Sequence, residues 1–311
     1  MTDRFRAHLD ASGLALLAIL LVLFTRPLGA QISLPMTMEN GWPVVPVVFG
    51  ETNDTLYFIV DTGAALSVVS AGVADRLALP RRGSETAQGA SGPQTVDVVM
   101  IPRLGLGTAE IVDLRVIVVD DEILTPYRGR EAGYSPYDGV LGVEILSRFD
   151  VLLSEPTNEL VLSEPGSGPG VLAAELAEPI SFSRVHGRII RHRVQVNGAN
   201  VEAFFDSGAR SMLLNGPAAE LAGLEAEPGS EESTSIGVGT LEVTFQRTTI
   251  DLLEVGSTRF EVLPAKLADL PVFRALGFGA RPAMLLGAPI LEGCPVFISY
   301  RERTIRYCRR N

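Results

Sequence analysis

Two aspartates carry the most suggestive chemistry in this chain of 311 residues. Asp61-Thr62-Gly63-Ala64 recurs as Asp206-Ser207-Gly208-Ala209, displaced by 145 positions. One Asp-(Thr/Ser)-Gly alone reads as an ordinary turn, because Asp and Gly both favour turns. Here the context repeats as well. Each copy follows a run of large apolar residues, Leu56 to Val60 or Val201 to Phe205. Each is matched downstream by an apolar-apolar-Gly element, Val140-Leu141-Gly142 or Leu285-Leu286-Gly287. Two loops of one kind could bring two carboxylates together. At about 3 Å such a pair cannot both ionise cheaply, so it shares one proton. One member then serves as general base and the other as general acid. A close pair titrates as a unit, so neither role belongs to a particular Asp.

The elements that must position these loops read as strands. Val44 to Phe49, Leu56 to Val60, Val96 to Ile101, Ile111 to Val119 and Val151 to Leu153 are short runs rich in β-branched residues, punctuated by Gly, Pro, Asn and Asp. Helical periodicity is confined to pieces such as Ala71 to Leu79 and Pro217 to Leu224. Residues 166–178 open with linker composition, and the pattern then begins again. Val194 to Val196, Asn197-Gly198 and Val201 to Phe205 predict a tight hairpin. The 145-residue shift also lays Val151-Leu152-Leu153 on Val296-Phe297-Ile298, whereas Gly107 matches Gly256. Matching ends around a drifting middle are the mark of a duplicated domain with variable hairpins.

Residues 1–30 have the layout of a secretory signal peptide: Arg4 and Arg6, an apolar run from Leu14 to Phe24, then small Ala30. The alternative is a retained N-terminal anchor. Either reading places the folded part outside the cytoplasm, periplasmic or secreted, with no membrane contact once a signal is removed. Beyond the leader, the sequence divides into lobes at 35–165 and 179–311. The two cysteines, Cys294 and Cys308, predict one disulfide across the last hairpin, which is read as symmetric about Arg301. A net charge of −11 without a basic run argues against nucleic acid as a partner. His186 and His192 have no metal-ligand spacing and read as surface residues. No metal or other cofactor is implied.

The sequence resembles the aspartic peptidases, and specifically a tandem of two retropepsin-like domains in one bilobal chain of bacterial type. The resemblance rests on Phe58-Ile59-Val60-Asp61-Thr62-Gly63-Ala64 with Asp138-Gly139-Val140-Leu141-Gly142. It rests equally on Phe204-Phe205-Asp206-Ser207-Gly208-Ala209 with Met284-Leu285-Leu286-Gly287. Ala64 and Ala209 stand where pepsin-like enzymes carry Ser or Thr. The second copy departs from the pattern at Ala283-Met284, where the first has Asp138-Gly139.

The resemblance implies an all-β fold of two related β-barrel lobes with the active site in the cleft between them. It implies an endopeptidase that uses Asp61 and Asp206 on peptide or protein substrates. Thr62 and Ser207 would bond across the lobe junction. Gly63 and Gly208, with Ala64 and Ala209, would hold the carboxylates. Gly89-Ala90-Ser91-Gly92 takes the position of a substrate-covering flap, and Gly237-Val238-Gly239 is its counterpart. Arg210 has two readings: a contact to a bound peptide, or an ion pair with an acidic residue at the junction. With both half-sites in one chain, the protein is expected to act as a monomer. The competing reading is a catalytically idle peptide-binding module on the same fold.

Overall fold

The computed structural model describes residues 31–125, 137–234, 237–239 and 241–310. The leader expected at 1–30 lies outside them. In the first half the strands are β1 (Ile32–Pro35), β2 (Thr37–Glu39), β3 (Trp42–Phe49), β4 (Asp54–Val60), β5 (Val68–Ser70), β6 (Arg81–Gly89), β7 (Gly92–Leu106), β8 (Ala109–Val119), β9 (Gly139–Leu141), β10 (Asp150–Ser154) and β11 (Glu159–Ser163). The second half contributes β12 (Ile180–Ser181), β13 (Ser183–Val185), β14 (Ile189–Val196), β15 (Ala199–Asp206), β16 (Met212–Leu214), β17 (Glu232–Thr234), β18 (Val243–Val255), β19 (Thr258–Leu267), β20 (Ala283–Gly287), β21 (Val296–Ser299) and β22 (Thr304–Arg306).

Side-chain alternation along the strands sets which residues enter the core. In β14, Ile190, His192, Val194 and Val196 are buried while their neighbours are not. His192 is therefore a core residue and not the surface residue expected from its chemistry. It occupies the inward phase of an otherwise apolar row. His186 is exposed. The β14–β15 hairpin turns at Asn197 and Gly198, both with positive φ (48° and 81°), as a tight two-residue connection requires.

Both halves arrange their strands in the same spatial order. The first runs β2-β3-β4-β9-β5-β8-β7-β6 and the second β13-β14-β15-β20-β16-β19-β18-β17. A further pairing, β3 with β7 and β14 with β18, closes each sheet into a barrel. In each barrel the Asp-bearing strand runs parallel to the apolar-apolar-Gly strand: Val60 pairs with Leu141, and Asp206 with Gly287.

The departure at Ala283-Met284 has a packing explanation. Phe58 pairs with Gly139 in the first barrel, and Ala203 pairs with Met284 at the equivalent place in the second. A large residue faces a small one in both, with the sizes exchanged between partners. Total volume is conserved, which a packed core tolerates.

A third sheet, β1-β11-β10-β21-β22-β12, draws strands from both halves. At its centre β10 pairs antiparallel with β21, placing Leu152 opposite Phe297. These residues are equivalent under the repeat, so an approximate two-fold axis passes between them. Buried apolar residues continue from each barrel into this sheet. Gly166 and Gly168, at the start of the connecting segment, donate backbone N–H groups to Asp150 (2.9 and 3.2 Å).

Cys294 and Cys308 form a disulfide. The register of the last hairpin pairs Phe297 with Arg306 and Ser299 with Thr304. Its centre thus falls between Arg301 and Glu302, not on Arg301. The cysteines are offset by one residue, and Cys308 reaches Cys294 from beyond the end of β22. Among the described residues no helix is long and apolar enough to cross a membrane.

Candidate active site

Asp61 follows the last residue of β4, and Asp206 ends β15. The Asp61 carboxylate accepts hydrogen bonds from the N–H groups of Gly63 (2.7 Å) and Ala64 (2.9 Å). Asp206 accepts from Gly208 (3.0 Å) and Ala209 (3.1 Å) in the same way. These donors fix each carboxylate in its own loop, and the loops then engage each other. The Thr62 N–H donates to Ser207 Oγ and the Ser207 N–H to Thr62 Oγ1, both at 3.0 Å. The hydroxyls donate onward, Thr62 to the Phe205 carbonyl (3.1 Å) and Ser207 to the Val60 carbonyl (2.7 Å). Thr62 and Ser207 are fully buried, so this exchange satisfies groups that water cannot reach.

Each glycine of the pair faces the opposite aspartate. A Cβ on Gly63 would lie 2.4 Å from the Asp206 carboxyl carbon, and one on Gly208 would lie 2.3 Å from that of Asp61. Only glycine allows so close an approach. The two carboxyl groups thus face one cavity at close quarters. Burial pushes the pair's proton affinity above the ordinary carboxylate range, and the charge of one carboxylate on the other adds to this.

Supports that were not apparent from the motif surround the two loops unequally. The Ser67 N–H donates to Glu144 Oε1 (2.6 Å), and the Gly142 N–H donates to Ser67 Oγ (2.9 Å). Burial raises the Glu144 pKa. Arg188, from the second lobe, donates to the Ala65 carbonyl (2.5 Å). Met212 and Pro289 occupy the positions in the second copy that match Ser67 and Glu144, so that loop has no such brace.

Trp42 is another residue the motif did not reveal. It is the chain's single tryptophan, placed just after the Asn40-Gly41 turn. Its indole N–H donates to the Gly208 carbonyl across the junction (2.7 Å). Its ring meets Tyr137 edge-on at 5.7 Å. The Arg210 guanidinium lies over the same ring, 4.6 Å from its centroid. Among the described residues no carboxylate is within ion-pair distance of Arg210. Among the described residues the junction ion pair, one of its two expected roles, is not formed; an aromatic ring lies against the guanidinium there.

A cavity of about 1800 Å³ contains both aspartates. Leu66, Val68 and Ile117 line it from the first lobe, and Phe204, Leu213 and Leu285 from the second. Gly89, Ala90, Gly237, Val238 and Gly239 line it too, whereas Ser91 and Gly92 are buried beside it. These two segments meet. The Ser91 N–H donates to the Val238 carbonyl (3.2 Å), the Leu241 N–H to the Ser91 carbonyl (3.0 Å), and the Gly239 N–H to Gln94 Oε1 (3.1 Å). Among the described residues no three His, Cys, Asp or Glu side chains converge as metal ligands would.

Comparison with known families agrees with the repeat. The family described as aspartyl protease matches residues 45–145 and again 192–290. A comparison with curated proteins gives no match. The two family matches cover more than half of the chain, and each contains one Asp-(Thr/Ser)-Gly loop. The chain belongs to the aspartyl protease family, with the family's domain present twice.

Proposed function

We propose that the protein is an aspartic endopeptidase in which Asp61 and Asp206 together activate one water molecule. The observation that carries this reading is the close approach of two carboxyls, each held by two backbone donors and each lying against the glycine of the opposite loop. Such a pair retains one proton and one negative charge. The ionised member takes a proton from water, whose oxygen attacks the peptide carbonyl carbon. The protonated member donates to the carbonyl oxygen as the tetrahedral intermediate forms. Collapse of that intermediate breaks the C–N bond: the pair passes a proton to the leaving nitrogen, and one hydroxyl of the gem-diol returns its proton to the pair as the C=O re-forms. The hydroxyl of the water stays on the new carboxyl group, so the atoms balance and the pair ends with the one proton it began with.

The remaining roles belong to the same proposal. Thr62, Gly63, Ala64, Ser207, Gly208 and Ala209 keep the carboxylates in register. The segments Gly89–Gly92 and Gly237–Gly239 act as flaps over an extended peptide. The disulfide suits an exported protein in an oxidising compartment, with residues 1–30 as its leader, 35–165 and 179–311 as its lobes and 166–178 as their linker. Asp61→Asn and Asp206→Asn should each lower peptide turnover by about 10²- to 10⁴-fold, the usual contribution of positioned acid–base groups. Thermal melting checks that each variant is folded. Comparable turnover by either folded variant would refute the shared-proton assignment, and absence of turnover in wild type would favour a peptide-binding module.

A further inference from the structure

Arg210 follows the second catalytic loop directly, four residues after Asp206, and lines the same cavity as the two aspartates. Its two-fold mate is Ala65, which also lines the cavity but carries no charge. Charge is thus distributed unequally about an otherwise duplicated centre. The residue that meets each position from the other lobe differs as well. Arg188 reaches the Ala65 backbone and spends a guanidinium N–H on its carbonyl. Trp42 lies against Arg210 and offers a ring face.

This contact does not neutralise the guanidinium. A ring face attracts the cation but does not satisfy its five N–H donors as a carboxylate would. Trp42 is itself fixed, by the bond from its indole N–H to Gly208 and by its contact with Tyr137. Nothing within ion-pair distance among the described residues neutralises the charge. Arginine remains protonated at any physiological pH. The result is a cationic set of donors beside an aromatic ring, lining the cavity that contains both aspartates.

Resting on the endopeptidase reading above, we propose that Arg210 and Trp42 form a subsite for a carboxylate. The enzyme then favours peptides with an Asp or Glu side chain on one side of the scissile bond and not on the other. An extended peptide crossing the two-fold axis meets Arg210 in one direction and Ala65 in the other. The subsite therefore fixes the direction in which an acidic substrate lies as well as its composition.

Matched peptides decide the matter, each carrying Asp or Asn, or Glu or Gln, at one position flanking the cut. Wild type should cleave the acidic member with kcat/KM about tenfold higher at a position on one side only, the order expected of a charge-assisted hydrogen bond in a half-open site. Added salt should reduce that ratio. In Arg210→Ala the ratio should fall to near one. Arg210→Lys keeps the charge but loses the fork, and should retain only part of the preference. Thermal melting of each variant separates this loss from misfolding.

Binding of the same peptide pairs to Asp61→Asn, read by fluorescence anisotropy, supplies a measure that does not need turnover. Equal cleavage of acidic and amide peptides by wild type would overturn the subsite and leave the endopeptidase reading standing. A preference that survives in folded Arg210→Ala would overturn it too. If wild type cleaves no peptide, the endopeptidase reading fails. The subsite as a carboxylate-binding site is then decided by whether the acidic peptides bind more tightly than the amide ones and lose that advantage in Arg210→Ala.

Discussion

His192 lies on β14, opposite Ala203 of the strand that carries Asp206. Its Nε2 is 2.8 Å from the Tyr307 hydroxyl, and the Tyr307 ring packs edge-on against Phe205 at 6.1 Å. Burial raises the Tyr307 pKa well above its ordinary value, so the hydroxyl is the donor and the imidazole the neutral acceptor. Burial also lowers the His192 pKa from 6.5 to about 4. Between these values the unfolded chain binds a proton that the folded chain refuses. Stability should therefore be unaffected by this group above about pH 6.5 and fall as pH drops toward about 4, by about 3 kcal/mol in total. The Asp61–Asp206 pair works in the opposite sense. Its raised pKa means the fold holds a proton that the unfolded chain releases, so acidification favours the fold until the unfolded carboxylates are protonated as well. Replacing His192 should expose that second trend. In urea melts at about pH 7 and about pH 4.5, His192→Gln should lose less stability between the two than wild type does. The comparison is of slopes, so any fixed cost of the substitution cancels. Equal slopes would show that His192 is not the group refusing the proton.

The segments proposed as flaps, Gly89–Gly92 and Gly237–Gly239, meet through backbone contact more than through side chains. A Cβ at Gly89 would stand 2.0 Å from the Val238 carbonyl oxygen, and one at Gly239 would stand 2.4 Å from the Ser91 carbonyl carbon. Gly239 also has φ at 119°, outside the range other residues adopt readily. Gly89→Ala and Gly239→Ala should each force the tips apart. If the closed tips hold substrate over the aspartates, kcat/KM should fall by about ten- to a hundredfold, the scale of a small misplacement of reacting groups. Unchanged kcat/KM in both variants would show that this contact is dispensable. The glycines of both segments were legible in the sequence, but their contact with each other was not, since composition does not say which distant turns will touch. The two Asp-(Thr/Ser)-Gly loops were more legible because their residues recur in type and at one spacing. His192 was legible in principle: the alternation of Ile190, Val194 and Val196 placed it inward, yet its own chemistry suggested the surface. The exchange of Phe58 and Gly139 for Ala203 and Met284 became clear only once strand pairing brought each couple together.

At the scale of the whole molecule, the shared sheet turns two half-sites into one. Each loop supplies one carboxylate and needs the other loop to complete its hydrogen bonds, as Thr62 and Ser207 show. Two separate domains would have to find each other before the pair could form. Here β10 and β21 are joined at the two-fold axis, and β1 and β12 flank the sheet from opposite sides. The segment anchored by Asp150 leads from the first barrel to the second. The disulfide between Cys294 and Cys308 ties the final hairpin of this sheet, where fraying would otherwise weaken the joint that holds the aspartates together. The active unit should accordingly be one chain, and its activity should follow first-order dependence on enzyme. Specific activity measured over a roughly hundredfold dilution should stay constant, because an intramolecular contact has no concentration term. Mass measured in solution over the same range should correspond to a single chain. A fall in specific activity that tracks dissociation of a larger species would show that a second copy completes the site.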